Sequence, residues 1–181
     1  MSNTAIQSKW SIDPVHSEIG FRVRHMVVSN VKGKFQNFNV DVTTQGNDFS
    51  TAQVKVDIDA ISVFTDNEQR DGHLKSADFF DAANHTHLHF ESSNIVKKSE
   101  ETFQITGNLT IKGVSKEITL DAEFGGIVND PYGNERAGFT LNGKINRQDF
   151  GLSWSAALET GGLVVSDEVK LAIDAEIVKN K

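Results

Sequence analysis

Apolar and polar residues alternate one by one along most of this chain, and almost nowhere do apolar positions recur at the three-to-four spacing of a helix. Between Thr102 and Ile111, the side chains of Phe103, Ile105, Leu109 and Ile111 fall on one side of an extended backbone, and Thr102, Gln104, Thr106, Asn108 and Thr110 on the other. That period of two predicts a strand with one dry and one wet face. Ile19, Phe21, Val23 and His25 share a face in the same way. So do Val54, Val56, Ile58 and Ala60; Ile118, Leu120, Ala122 and Phe124; Ala137, Phe139, Leu141 and Ile145; and Val169, Leu171, Ile173, Ala175 and Ile177. With a short opening strand at Trp10–Asp13, an extended run from Val31 to Val42 and a strand through Leu88 and Phe90, about eight main strands are expected. Turns such as Gln45-Gly46-Asn47 and Asp130-Pro131-Tyr132-Gly133 join them, which predicts antiparallel meanders. A sheet with one apolar face must bury it, and a large one does so by curling into a barrel with an apolar interior.

Two segments interrupt the alternation. Thr65 and Glu68 stand at the spacing of a capping box, so a short helix is expected over Gln69–Leu74, with a further turn over Ser76–Asp81. From Trp154 to Gly162, the residues Ala156, Ala157 and Leu158 predict a helical turn ended by Gly161-Gly162. Both insertions are expected to cover barrel ends, with Trp154 as a closing wedge.

At 181 residues the chain is long enough for one well-buried core. Its net charge of −7 argues against a nucleic-acid partner, and equally against electrostatic docking on anionic lipid. No cysteine is present, which removes disulfides, thiolate nucleophiles and cysteine metal sites. No apolar run reaches the ~18 residues of a spanning helix, so no stable membrane insertion is expected. The first nine residues lack the basic start and apolar run of a signal peptide. A cytoplasmic location is therefore expected, or a periplasmic one if a leader has been removed.

Candidate chemistry centres on histidine. His85, His87 and His89 alternate on the side opposite Leu88 and Phe90, so they point outward; a solvated histidine-rich face accounts for them, and no metal is assigned. His25 continues an inward face to a strand end, where it could anchor a ligand at the mouth of an apolar pocket. Asp13, His16 and Ser17 lie close in sequence, but a triad is defined by geometry. The chain holds no Gly-x-Ser-x-Gly elbow, phosphate-cradling glycine loop or His-Glu-x-x-His motif. No catalytic residue, cofactor or enzyme activity is assigned. Arg70-Asp71 and Arg147-x-Asp149 read as charged pairs that pin loops.

An ordered series of motifs resembles the YceI-like, polyisoprenoid-binding domain family. It runs from Trp10-Ser11-Ile12-Asp13 through His16-Ser17, Phe21-Arg22-Val23-Arg24-His25 and Val31-Lys32-Gly33-Lys34-Phe35. It continues with Arg70-Asp71-Gly72-His73-Leu74, Asp78-Phe79-Phe80-Asp81, Gly107–Val114, Gly143–Leu152 and Asp167-Glu168-Val169. The family often has a Tyr-Pro pair before the strand that here begins with His85-Thr86-His87. The resemblance implies an all-β, extended, lipocalin-like, eight-stranded antiparallel β-barrel with short helical insertions. Residues 10–178 would form this one domain after an N-terminal tail of residues 1–9. It also implies a long internal channel for an isoprenoid or similar lipid, and a homodimer as the oligomeric state to test.

The expected function is non-enzymatic binding, storage or transport of a long-chain isoprenoid or isoprenoid-quinone lipid. The alternatives are a fatty acid or fatty amide in the same channel, an enzyme acting on a bound lipid, and a dimeric stress-response or scaffold protein with an incidental cavity. By their inward parity or their place in the insertions, Phe21, Val23, His25, Phe35, Leu74 and Phe79 are expected to line the channel. Phe90, Phe139, Leu141, Gly143 and Trp154 complete the set, and at Gly143 a bulky replacement is expected to shorten the lipid held.

Overall fold

A computed structural model describes residues 6–159 and 161–181. Eleven strand segments form a single antiparallel sheet: β1 Gln7–Ile12, β2 Glu18–His25, β3 Ser29–Phe35, β4 Phe38–Gln45, β5 Asp48–Asp59, β6 Val63–Phe64, β7 His87–Lys97, β8 Thr102–Ile111, β9 Val114–Asn129, β10 Glu135–Asn146 and β11 Val165–Lys179. The helix α1 spans Glu68–Lys75. Register shows that three pairs of segments are interrupted single strands. β1 and β2 both pair with β11, at Ile12↔Ile177 and Glu18↔Asp174. β4 and β3 lie beside β1 and β2 in turn, and β5 and β6 beside β4 and β3. Eight long strands remain, each beside its sequence neighbours, and β11 returns to β1 to close the barrel.

The break between β1 and β2 has a local cause. Pro14 has no N–H to give the ladder, and Asp13 accepts a hydrogen bond from the Val15 amide at 3.0 Å to start a tight turn. The Ser17 hydroxyl then accepts from the Glu176 amide at 2.9 Å and donates to the Glu176 carbonyl at 3.4 Å. It satisfies the backbone groups that the departing strand leaves behind.

Topology separates the two barrel ends. The turns 45–48, 97–102 and 129–135 lie at one end, which an aromatic cluster fills. Phe49 packs its ring 5.1 Å from Trp10, 5.3 Å from Phe124 and 5.0 Å from Phe139. Buried Trp10 donates its indole N–H to the Thr44 hydroxyl at 3.0 Å, so its polar atom is satisfied. On the wall nearby, Arg136 donates to Asp13 at 2.7 Å, Asp130 at 2.8 Å and Glu176 at 2.9 Å. This clasp ties β10, the β9–β10 turn, β11 and the β1–β2 break together. The His16 hydrogen bond, and after it Arg136, lower the Asp13 pKa to about 2; Arg136 chiefly holds Asp130 well below the usual carboxylate range.

Several details differ from the sequence expectations. Strand β1 begins at Gln7 and pairs with β4, so residues 7–9 of the expected tail belong to the sheet, while residues 1–5 lie outside the described residues. Helix α1 is capped by Asn67, which accepts from the Arg70 amide, not by Thr65. The Thr65 hydroxyl and amide instead donate to buried Asp71, and Arg70 donates to Thr65. Arg70 and Asp71 thus pin the same loop through Thr65 and not as an ion pair. The expected helical turn at 156–158 is absent from the structure. The Ala157↔Leu163 bridge and the bonds Val164 N–H to Ala156 O and Leu158 N–H to Gly162 O make this segment a small hairpin.

Phe49 touches three rings in a packed cluster, so Phe49→Ala is expected to cost about 3–5 kcal/mol in chemical denaturation. The clasp has a pH signature. Asp13 titrates lower in the fold than its ordinary 3.8, so its contribution to stability is full above that value and is lost as pH falls towards 2. Arg136→Met should lower the melting temperature at neutral pH and flatten its fall across this acid window in thermal melts.

Candidate functional site

Inside the barrel lies a cavity of about 600 Å³, walled almost entirely by carbon. It runs from the aromatic plug towards the opposite end, where the β2–β3 hairpin, α1 and the loop 147–164 meet. Ten of the eleven residues expected there line it: Phe21, Val23, His25, Phe35, Leu74, Phe79, Phe90, Phe139, Leu141 and Trp154. Gly143 does not. Its position is inward, but an added Cβ would come within 2.5 Å of Leu120 Cδ2, so the Leu120 side chain fills that space. The expectation that bulk at Gly143 trims the ligand is therefore corrected.

The ends differ chemically. Polar groups gather at the mouth: Arg24, His25, Asn67, Gln69, Arg70 and His73 all reach the cavity. His73 stands edge-on to Trp154 at 4.8 Å and to Phe79 at 5.0 Å, with Nε2 2.8 Å from Asp78. These rings, with Leu74 from α1, form a cover over the lumen. Opposite them, Arg147 is 2 % exposed and donates to the carbonyls of Leu152 at 2.6 Å, Trp154 at 2.7 Å and Ser166 at 2.9 Å. Burial pushes its pKa down, yet a guanidinium stays charged at any ordinary pH. Its role is to hold Trp154 over the mouth; the expected partner Asp149 is exposed, and the carboxylate near Arg147 is Asp167 at 3.4 Å. Sequence reading placed Arg147 in a charged pair because carbonyl partners carry no sequence signal. It likewise did not assign Val169, Leu171 and Ile173 of β11 to the site, although their alternation was visible and all three line the cavity.

The remaining histidines lie elsewhere. His87 and His89 project outward from β7, beside Asp59 at 2.9 Å and beside Asp57 respectively, carboxylates that β5 brings across by register. His85 precedes the strand and faces Gly113. Asp13, His16 and Glu176 do converge as a metal site would, but the Arg136 guanidinium lies against both carboxylates, so the group is an ion-pair clasp. Ser17 bonds to the Glu176 backbone and His16 to Asp13, which leaves no serine–histidine pair.

A closed eight-strand antiparallel barrel with an apolar lumen under a side-chain cover is a lipocalin-like binding architecture. The chain belongs to the YceI-like domain family, which matches residues 10–177. The UPF0312 proteins SAS2572 and MW2606 of Staphylococcus aureus strains MSSA476 and MW2 are each 39% identical over 170 residues, covering 93% of this chain and 96% of theirs. The YceI protein of Campylobacter jejuni is 36% identical, with a TM-score of 0.77 over 94% of this chain and 97% of its own. The fold also matches a polyisoprenoid-binding domain from Saccharophagus degradans implicated in plant cell wall breakdown, at 13% identity and a TM-score of 0.64 over 93% of this chain and 97% of that one.

Because Leu120 already fills the space at Gly143, Gly143→Phe overpacks the wall. It is expected to destabilise the barrel by about 1–3 kcal/mol in denaturant titration and to leave the length of any co-purified lipid unchanged.

Proposed function

We propose that this protein binds and carries a long-chain amphiphilic lipid of isoprenoid type, without chemically altering it. The observation that carries this reading is the 600 Å³ cavity, walled almost entirely by carbon, with a cluster of polar groups at its mouth. Apolar walls give water few hydrogen-bond partners, so a hydrocarbon is the favoured occupant. Each buried CH₂ contributes roughly 0.8 kcal/mol before ordering costs, and a chain of several isoprene units gains enough to be held without a directional contact along its length. The tail would lie against Phe21, Leu141 and Leu171, with the polar end at His25, Gln69 and Arg70. Membership of the YceI-like family, and the polyisoprenoid-binding Saccharophagus degradans domain that shares the fold, point the same way. Most of the lumen wall is Phe, Ile, Leu, Val and Ala, which offer no nucleophile or acid–base group to a chain lying along it.

Solvent extraction of the purified protein followed by mass spectrometry should give a long-chain amphiphile near one per barrel. A fatty acid or amide would replace the isoprenoid assignment, and an absence of any amphiphile would overturn the carrier reading. Leu171 projects into the lumen from mid-β11, opposite Phe21. Leu171→Trp should keep the fold by circular dichroism while shortening or excluding the extracted lipid.

A further inference from the structure

We propose that the outer face of β10, β11, β2 and β3, together with the β2–β3 hairpin tip, docks the barrel on an anionic lipid bilayer. The purpose of such docking rests on the lipid-carrying reading, but its geometry does not.

Register places four cations in one cross-strand row. Lys144 stands opposite Lys170, Lys170 opposite Arg22, and Arg22 opposite Lys32. All four are exposed, and none makes an ion pair among the described residues. With strands about 4.8 Å apart, the row concentrates four charges within roughly 15 Å. Like charges directly opposite each other destabilise a sheet, so folding alone gives no reason for this row. Lys34 on the same face is paired with Glu18 at 3.8 Å, and Arg24 turns its guanidinium to the Val27 carbonyl at 3.0 Å, so neither counts in the row. Glu168 is the acid among the outward positions of this block, which pair register by register from Asn142 to Asn146, Glu168 to Ala172, Gly20 to Arg24 and Asn30 to Lys34. The chain as a whole carries −7, a sum that conceals the local excess.

The second observation is the tip itself. Met26 and Val27 have φ of 51° and 65°, a left-handed conformation that hairpins normally assign to Asn and Gly. A β-branched residue is a clear outlier there. Met26, Val27 and Val28 are 44%, 53% and 83% exposed, so burial does not explain their apolar character either. Exposed Leu163 lies on the adjoining hairpin, which the bond from the Met26 amide to the Val164 carbonyl holds alongside. Apolar side chains at a projecting tip, with cations set back behind them, match the interfacial region of a bilayer. From the His25↔Ser29 pair to the Arg22↔Lys32 pair is three residues, about 10 Å along the strand. A tip at the headgroup–acyl boundary, some 5–10 Å deep, therefore sets the row near the level of the phosphates. An acidic protein would use the cations but leave Met26, Val27 and Val28 unexplained. The hairpin also forms part of the cavity mouth through Val23, His25 and Val31, so docking would bring the opening to a lipid source.

The test is flotation with vesicles of phosphatidylcholine alone or with added phosphatidylglycerol. The protein should float with the anionic vesicles at low salt and be released at high salt. With each basic residue near an anionic surface contributing about fivefold in binding, Arg22→Glu with Lys170→Glu should weaken it by at least about tenfold. Met26→Asn with Val27→Gly suits the turn better, so it should melt no lower than the parent and still lose vesicle binding. Equal binding to both vesicle types, no binding, or unchanged binding by both variants would overturn the proposal, as would capture of an acidic protein by the row without any vesicle binding. Extracted lipid is measured separately. Flotation without cargo removes the carrier reading and leaves docking standing, whereas cargo without flotation does the reverse.

Discussion

The fifteen residues of β11 hold the barrel shut. They pair with β10 along one edge and with β2 and then β1 along the other, so the last strand of the chain closes on the first. Without that pairing the sheet would present two open edges and an uncovered apolar face, both of which invite aggregation. Closure also creates the lumen. A ring of eight strands is about wide enough to admit one slender ligand beside its own inward side chains. The same hydrogen bonds that remove the edges thus define a space lined with carbon.

Closure leaves two ends, and the chain treats them differently. One is packed with Trp10, Phe49, Phe103, Phe124 and Phe139, and reinforced outside by the Arg136 clasp. The other is covered by separate pieces: α1 with its Asp71–Thr65 bonds, the loop that Arg147 holds through carbonyls, and the β2–β3 hairpin. A cover assembled from three pieces of chain, joined by few contacts, can part with less disruption than a packed aromatic core. The polar rim lies on that side too, so an amphiphile of the proposed kind would enter tail-first. Selection along the lumen would then be by length and girth, because dispersion contacts with an apolar wall distinguish poorly between one hydrocarbon and another.

Two charge systems on the outer surface show why net charge is a weak guide to partners. The Arg136 clasp gathers three carboxylates around one guanidinium and so stays net negative. The row from Lys144 to Lys32 is unneutralised. The two contribute to one sum, yet a partner meets only the local field within about a Debye length.

Strand identity, inward parity and closure into a barrel were legible in the sequence, because a period of two assigns every side chain to a face without reference to its neighbours. His25 at the mouth and Leu88 and Phe90 in the wall follow from that rule alone. Contacts between residues remote in sequence were not legible. Leu120 rather than a ligand fills the space at Gly143 because β9 lies beside β10 at that register. Arg147 bonds to carbonyls, which every residue has, so no residue type announces its partners. Asp57 and Asp59 meet the outer histidines, and four cations meet one another, only once adjacent strands are aligned. The sequence by itself determined which way each side chain points; tertiary structure decided which side chain it meets, because register between strands depends on the closure of the whole ring.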